Sequence, residues 1–400
     1  MGQRYSSISG WGKYVPKRIL TNAELESMVD TSDEWIVQRT GIKERRIAAE
    51  DETTSTMAVN AARQALKVAG LKPKDLDLII VATSSPDYFV PAASSTIQDA
   101  LGANCPAFTL VTGCTGFVYG LATGHQFIAN GAYEHILVIG VELISRYLNW
   151  EDRNTCVLFG DGAGAVILSP SETPTGVLAF DMGSDGGKGM NINIMGGGSA
   201  NPLSQEVLDR KDHKLYMNGR EVFKFATRTM PKSTLVALER AGMTIDDIDL
   251  LIPHQANARI IDLAIRYLKI DPAKVYVNVH KYGNTSAASI PVALVEAVED
   301  GKINEGDKLV LASFGAGLTW ASAVVEWGPG TRPEHEEQRY FWDLTTLRNQ
   351  ATKVKVQAHQ LLDLATYRAS TFLLPLYTFT GRRPPGAAKK KQERQYTERT

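Results

Sequence analysis

Residues 65–80, ALKVAGLKPKDLDLII, and residues 237–252, ALERAGMTIDDIDLLI, match at eight of sixteen positions without a gap. Their offset is 172 residues, and an offset one residue longer pairs HILVIG (135–140) with KLVLAS (308–313). Each longer copy reads as a helix, a closing glycine, a short turn and a buried strand. Two separated elements repeating at nearly the same offset constrain the fold more than any other feature. It gives one α/β unit present twice, over 1–172 and 173–328. The runs LIIVAT (78–83), ILVIGVE (136–142), LLIPH (250–254) and LVLASF (309–314) lack polar alternation. Strands of that kind are buried on both faces. A duplicated βα unit built on them implies layered sheets covered by helices. The glycine stretches DMGSDGGKGMN (181–191) and IMGGGSAN (194–201) read as loops where the halves meet.

Hydrophobic residues make up 44% of the 400-residue chain and charged residues 22%, enough for a large core. A net charge of −1 argues against bulk nucleic-acid binding. Three cysteines in a chain of this length are not a disulfide framework and suit a reducing compartment. The N-terminus lacks an apolar leader, and no run reaches the ~18 apolar residues needed to span a bilayer. These features predict a cytoplasmic globular protein. Residues 331–400 differ from the rest. Leu344, Leu347, Ala351, Val354, Ala358, Leu361 and Ala365 form a helical seam of about three heptads. TFLLPLYTFT (371–380) then precedes a basic end, RRPPGAAKKKQER. This extension suits a helix packed on its own domain, a helical partner, or contact with an anionic membrane surface.

Chemistry concentrates at four places. In VTGCTGFVYG, Cys114 stands between Gly113 and Gly116 at the start of an apolar helical pattern. It is either a small buried residue or a nucleophile whose pKa the positive helix end lowers. In LLIPHQANARI, His254 directly follows a buried strand, where α/β folds build sites; a satisfied core histidine is the plainer reading. In HKYGNTSAAS, Asn284 opens a small-residue helix, as an N-cap or as a hydrogen-bond donor. In LASFGAGLTW, Gly315-Ala316-Gly317 follows a strand and offers backbone N–H groups to a developing oxyanion. No lysine completes a phosphate loop, and no cysteine–histidine pair has metal-ligand spacing. Together, Cys, His and Asn supply a nucleophile, an acid/base and an oxyanion donor.

With TSDEWIVQRTGIKERRI (31–47), GCTGF (113–117), FGDGAGA (159–165), IPHQAN (252–257), GNTSAAS (283–289) and FGAGLTW (314–320), the chain resembles the β-ketoacyl-acyl carrier protein synthase III family of the thiolase superfamily. The resemblance spans about residues 5–328. It implies a thiolase-like, five-layered αβαβα fold of two duplicated halves in a homodimer, with a catalytic triad of Cys114, His254 and Asn284. It also implies an oxyanion hole from the backbone N–H groups of Cys114 and Ala316. Trp35, Arg39, Arg153, Phe223 and Asn257 are implied to meet coenzyme A, and Arg259 and Lys224 an acidic acyl carrier protein.

The implied reaction is a decarboxylative Claisen condensation that initiates fatty-acid synthesis. An acyl-CoA, acetyl-CoA in the leading reading, acylates Cys114. Malonyl-acyl carrier protein then loses CO2 and attacks, with no permanently bound cofactor and no metal. A condensing enzyme of secondary metabolism would share these residues, and a non-catalytic scaffold is the rival from another class. A thiolase needs a second cysteine, absent after Cys156, and elongating synthases carry histidine where Asn284 stands. Thr112 and Gly113 replace the small residues common before the cysteine. Val90, in PDYFVPAAS (86–94), belongs to a segment expected to shape the acyl pocket across the dimer, with room for more than acetyl.

Overall fold

The computed structural model describes residues 4–328. The helical seam and the apolar and basic segments beyond it lie outside the described residues. Nine strands form the main sheet. They are β1 (Tyr5–Tyr14), β2 (Leu78–Ala82), β3 (Ala107–Leu110), β4 (Ile136–Glu142), β5 (Gly162–Ser171), β6 (Gly176–Ser184), β7 (Leu250–Pro253), β8 (Lys308–Gly315) and β9 (Thr319–Glu326). Their order is β7-β8-β9-β6-β1-β5-β4-β2-β3.

Read outward from the centre, each side repeats the other. β1 pairs antiparallel with β5, β5 antiparallel with β4, and β4 parallel with β2. Likewise β6 pairs antiparallel with β9, β9 antiparallel with β8, and β8 parallel with β7. β3 continues the first side beyond β2, and a parallel bridge from Leu251 to Val275 marks the same place beyond β7. Within the sheet, the two sides pair through Ser6 and Gly176.

Strand periodicity then sorts side chains into layers. Ile79, Val81, Leu137 and Ile139 point one way, onto helices α2 (Thr54–Ala69) and α3 (Ala93–Leu101), after α1 (Asp33–Thr40). Leu78, Ile80, Ile136 and Val138 point the other way, onto α4 (Gly116–Ala129), after those three helices in the chain. The second half follows suit. Leu251, Val310 and Val324 face α5 (Gly219–Arg240) and α6 (Ala258–Leu268), while Leu250, Ile252, Leu309 and Leu311 face the centre with α7 (Ser289–Glu299). Helices α4 and α7 thus share the middle layer, giving α, β, α, β, α. Phe117, Leu121, Ile290 and Leu294 are fully buried there. Each such side chain contributes about 1.5–3 kcal/mol over its exposed state.

The buried middle layer positions the site. A short 3-10 turn, Gly113–Thr115, leads into α4, and its counterpart, Ser286–Ala288, leads into α7. Both turns lie at the same end of the layered core, where β4 and β8 also finish.

Candidate active site

A cavity of about 960 Å³ opens at that end. Its lining includes Trp35, Arg39, Cys114, Phe223, His254, Asn257, Arg259, Asn284 and Ala316. Nine of the eleven residues named from sequence therefore share one wall. Arg153 reaches it indirectly, with its guanidinium 5.1 Å from the Trp35 ring centroid.

Cys114 sits on the turn before α4, where Gly113 takes a φ of +57°. The loop after β8 presses on this turn. A Cβ on Gly315 would lie 2.6 Å from the Cys114 nitrogen, and one on Gly113 would lie 2.9 Å from the Ala316 nitrogen. Glycine at both positions lets two backbones approach closely enough for the N–H groups of Cys114 and Ala316 to act on the sulfur. Both N–H groups pull the thiol pKa down, as does the Ser286 hydroxyl, 3.4 Å from Sγ. Burial outweighs them. It pushes the thiol up to about 12, with the nearby Glu142 carboxylate adding to the rise. The expected lowering by the helix end is therefore corrected: desolvation of the thiolate is the larger effect here.

His254 follows β7 and is 1% exposed. Its main-chain N–H donates to the Ala312 carbonyl at 2.8 Å. The ring stands edge-on to Phe314, with centroids 5.2 Å apart, and Nδ1 is hydrogen-bonded to the Ser289 hydroxyl. Nε2 is buried without a protein partner. Burial drops the pKa to about 3, so the ring is neutral at physiological pH. Asn284 follows Gly283, and its main chain is pinned by bonds to Leu158 O and from Gly160 N. Its Oδ1 accepts the Ser286 N–H at 2.8 Å, which leaves the carboxamide N–H bonds for the cavity.

At the mouth, Ser32 caps α1 by accepting from the Trp35 N–H. The Trp35 ring has Arg39 at 5.7 Å and Arg153 at 5.1 Å. Arg153 also donates to the Asp30 carbonyl at 2.6 Å. Asn257 is committed on both sides of its carboxamide. Oδ1 caps α6 through the Arg259 N–H, and Nδ2 donates to the Arg39 carbonyl. The Arg259 guanidinium lies 5.5 Å from the Phe223 ring. Lys224 lies outside this cavity. One residue further round α5 than Phe223, it pairs with Glu221 at 2.7 Å and lines a separate depression with Arg228 and Lys232. Neighbouring helix positions do not share a face.

Two residues beneath the sulfur escaped the sequence reading. Glu142, fully buried at the end of β4, accepts from the Ser84 N–H at 3.0 Å and from the Ser85 and Thr83 hydroxyls. Ser286 lies between Glu142 and Cys114. A signal for Ser286 was available: it stands one 172-residue offset beyond Cys114.

Two family models match the chain: 3-oxoacyl-[acyl-carrier-protein] synthase III over residues 108–186, and the C-terminal region of the same synthase over residues 238–327. The chain is 54% identical to a β-ketoacyl-[acyl-carrier-protein] synthase III of Desulfitobacterium hafniense over 321 residues, 80% of this chain and 97% of that protein. Among solved structures, the 3-oxoacyl-[acyl-carrier-protein] synthase III of Aquifex aeolicus is 44% identical with a TM-score of 0.75, covering 80% of this chain and all of that one. The priming β-ketosynthase of the R1128 polyketide pathway is 34% identical with a TM-score of 0.76, over 82% of this chain and 97% of that one. With this identity carried across the whole thiolase-like core, the chain belongs to the β-ketoacyl-[acyl-carrier-protein] synthase III family, the condensing enzymes that initiate fatty-acid synthesis.

Proposed function

We propose that Cys114 is the nucleophile of a two-step decarboxylative condensation, with His254 and Asn284 serving its second step. The observation that carries this reading is the convergence of three groups on one cavity: a thiol under two backbone N–H groups, an unpartnered neutral Nε2, and a carboxamide whose oxygen is already engaged. In the first step the Cys114 sulfur attacks an acyl-CoA thioester, acetyl-CoA being the preferred donor. The N–H groups of Cys114 and Ala316 hold the oxyanion, and CoA leaves. In the second step malonyl-acyl carrier protein enters. Nε2–H of His254, in the tautomer where Ser289 donates to Nδ1, and the Asn284 carboxamide donate to the thioester carbonyl. CO2 departs, and the enolate carbon attacks the acyl-cysteine to give a 3-oxoacyl product. One such donor is worth about 2.7–4 kcal/mol in the transition state. A neutral imidazole suits this role, since it donates without having to lose a charge.

Trp35 and Arg153 grip the CoA nucleotide, the ring by stacking and the guanidinium by its phosphate-matching fork. Arg39, Phe223 and Asn257 line the way in, and Arg259 meets the acidic carrier protein. Lys224 adds to that surface from outside the cavity. The molecule works as a homodimer in the cytoplasm without a resident cofactor. Tyr88, Phe89 and Val90 support the dimer: they are 65%, 81% and 87% exposed in a single chain, an apolar run that a second copy would cover. The halves divide near residue 172, between β5 and β6. Fatty-acid initiation is preferred over secondary metabolism because identity to the polyketide priming enzyme is 34%, against 54% for the Desulfitobacterium synthase.

Initial-rate kinetics with acetyl-, butyryl- and octanoyl-CoA against malonyl-acyl carrier protein test this reading. Parallel double-reciprocal lines and one CO2 per product are expected. Intersecting lines would contradict the acyl-enzyme.

A further inference from the structure

Glu142 has no part in the chemistry described so far, yet it is a fully buried carboxyl under the nucleophile. Burying a carboxylate costs several kcal/mol unless it is well satisfied. The Ser84 N–H and the Thr83 and Ser85 hydroxyls partly satisfy it. Its Oε1 lies 3.2 Å from the Ser286 Oγ, which lies 3.4 Å from the Cys114 sulfur. Ser286 is held for this contact in a left-handed conformation, φ +51°, by the bond from its N–H to Asn284. The chain from sulfur to hydroxyl to carboxylate is continuous.

We infer that Glu142, acting through the Ser286 hydroxyl, takes the Cys114 proton during acylation and returns it when the condensation frees the sulfur. This rests on the condensing reaction proposed above. In acylation, the S–H proton passes to Ser286 Oγ while the Ser286 O–H proton passes to Glu142 Oε1. The sulfur's electron pair forms the new C–S bond, the bond to the CoA sulfur breaks, and the CoA thiolate takes a proton from water. Glu142 stays neutral while malonyl-acyl carrier protein loses CO2. When the enolate displaces Cys114, the thiolate regains the stored proton through Ser286 and Glu142 is again anionic. Across both steps one proton is consumed, and it ends on CoA.

Two features support the inference. The thiol is held high by burial, so a helix end alone does not ionise it at neutral pH and an acceptor is needed. Burial also pushes Glu142 up to about 7, where a carboxyl can both take and give a proton. The ionisable groups bearing on Glu142 include the Cys114 thiol on the facing turn and Tyr147 on the segment after β4. Glu142 is a positioning residue by this account, and Ser286 is the catalytic residue that touches the sulfur.

The test is the rate of acetyl transfer from acetyl-CoA to Cys114 across pH 6–9, without malonyl-acyl carrier protein. Wild type should rise to a plateau above about pH 7. Glu142→Gln and Ser286→Ala should each lose the plateau, climb with pH throughout, and run about 100-fold slower at pH 7. The double variant should be no slower than either. Malonyl decarboxylation, which uses His254 and Asn284, should survive in both and report an intact fold. A plateau kept in Glu142→Gln at a rate within about twofold of wild type overturns the relay, as does an equal loss in both half-reactions. A wild type that takes no acetyl on Cys114 instead overturns the condensing reaction itself.

Discussion

At the scale of single residues, the proposed roles separate groups that bind from groups that react. Arg153 touches the Trp35 ring and the Asp30 carbonyl but not the cavity floor. Arg153→Ala should therefore raise KM for acyl-CoA about tenfold and leave kcat nearly unchanged; a fall confined to kcat would contradict its placement. Arg259→Ala should weaken carrier-protein saturation more than Lys224→Ala, because Lys224 is already paired with Glu221. Glu142 also makes a prediction about stability. Burial raises its pKa from 4.5 to about 7. An acid raised in this way contributes stability that is full below pH 4.5 and lost as pH rises through 7. Relative to Glu142→Gln, wild type should thus lose about 3 kcal/mol over that window in urea unfolding. His254 is depressed and slopes the other way, but it is common to both proteins and cancels in the difference. A difference that grows with pH in favour of wild type would contradict the buried carboxyl. Cys114, His254 and Asn284 were legible because each stands in a distinctive local setting. Glu142 and Ser286 were less so: one looks like an ordinary strand end and the other, its 172-residue offset from Cys114 aside, like any serine in a turn, until the turns before α4 and α7 meet.

At the scale of elements, the close approach of the loop after β8 to the turn before α4 sets the proposed oxyanion donors. A Cβ at Gly315 would stand 2.6 Å from the Cys114 nitrogen and 2.9 Å from its Cβ. Gly315→Ala should cost about 1–3 kcal/mol by overpacking. It should cost about 100-fold in acyl transfer, because it displaces an oxyanion N–H. Thermal unfolding and transfer rate measured together check this; unchanged transfer would place the oxyanion elsewhere. The elements themselves were readable because strands buried on both faces leave uninterrupted apolar runs, as in β2, β4 and β8. Phe223 and Lys224 are adjacent on α5 yet only Phe223 lines the cavity, because about 100° of helix rotation separates adjacent side chains.

At the scale of the whole molecule, the duplication was legible because both halves kept the same residues at nearly one offset, and the layered fold follows from it. The proposed dimer rests in sequence on resemblance alone, since an exposed loop such as Tyr88–Val90 gives no sign there of what covers it. Val90→Asp should turn a dimer into monomers in sedimentation; a wild-type monomer would remove the basis for an acyl pocket shared across subunits. Deleting residues 331–400 should leave condensation intact, because the curated relative from Desulfitobacterium matches 97% of its own length within 80% of this chain. Loss of activity would give the extension a role in the site. The most direct test of the account is peptide mapping of the protein after incubation with labelled acetyl-CoA. The label should sit on Cys114 alone, be absent from Cys114→Ala, and leave as 3-oxoacyl product when malonyl-acyl carrier protein is added. Label on another residue, or label that survives Cys114→Ala, would contradict the account.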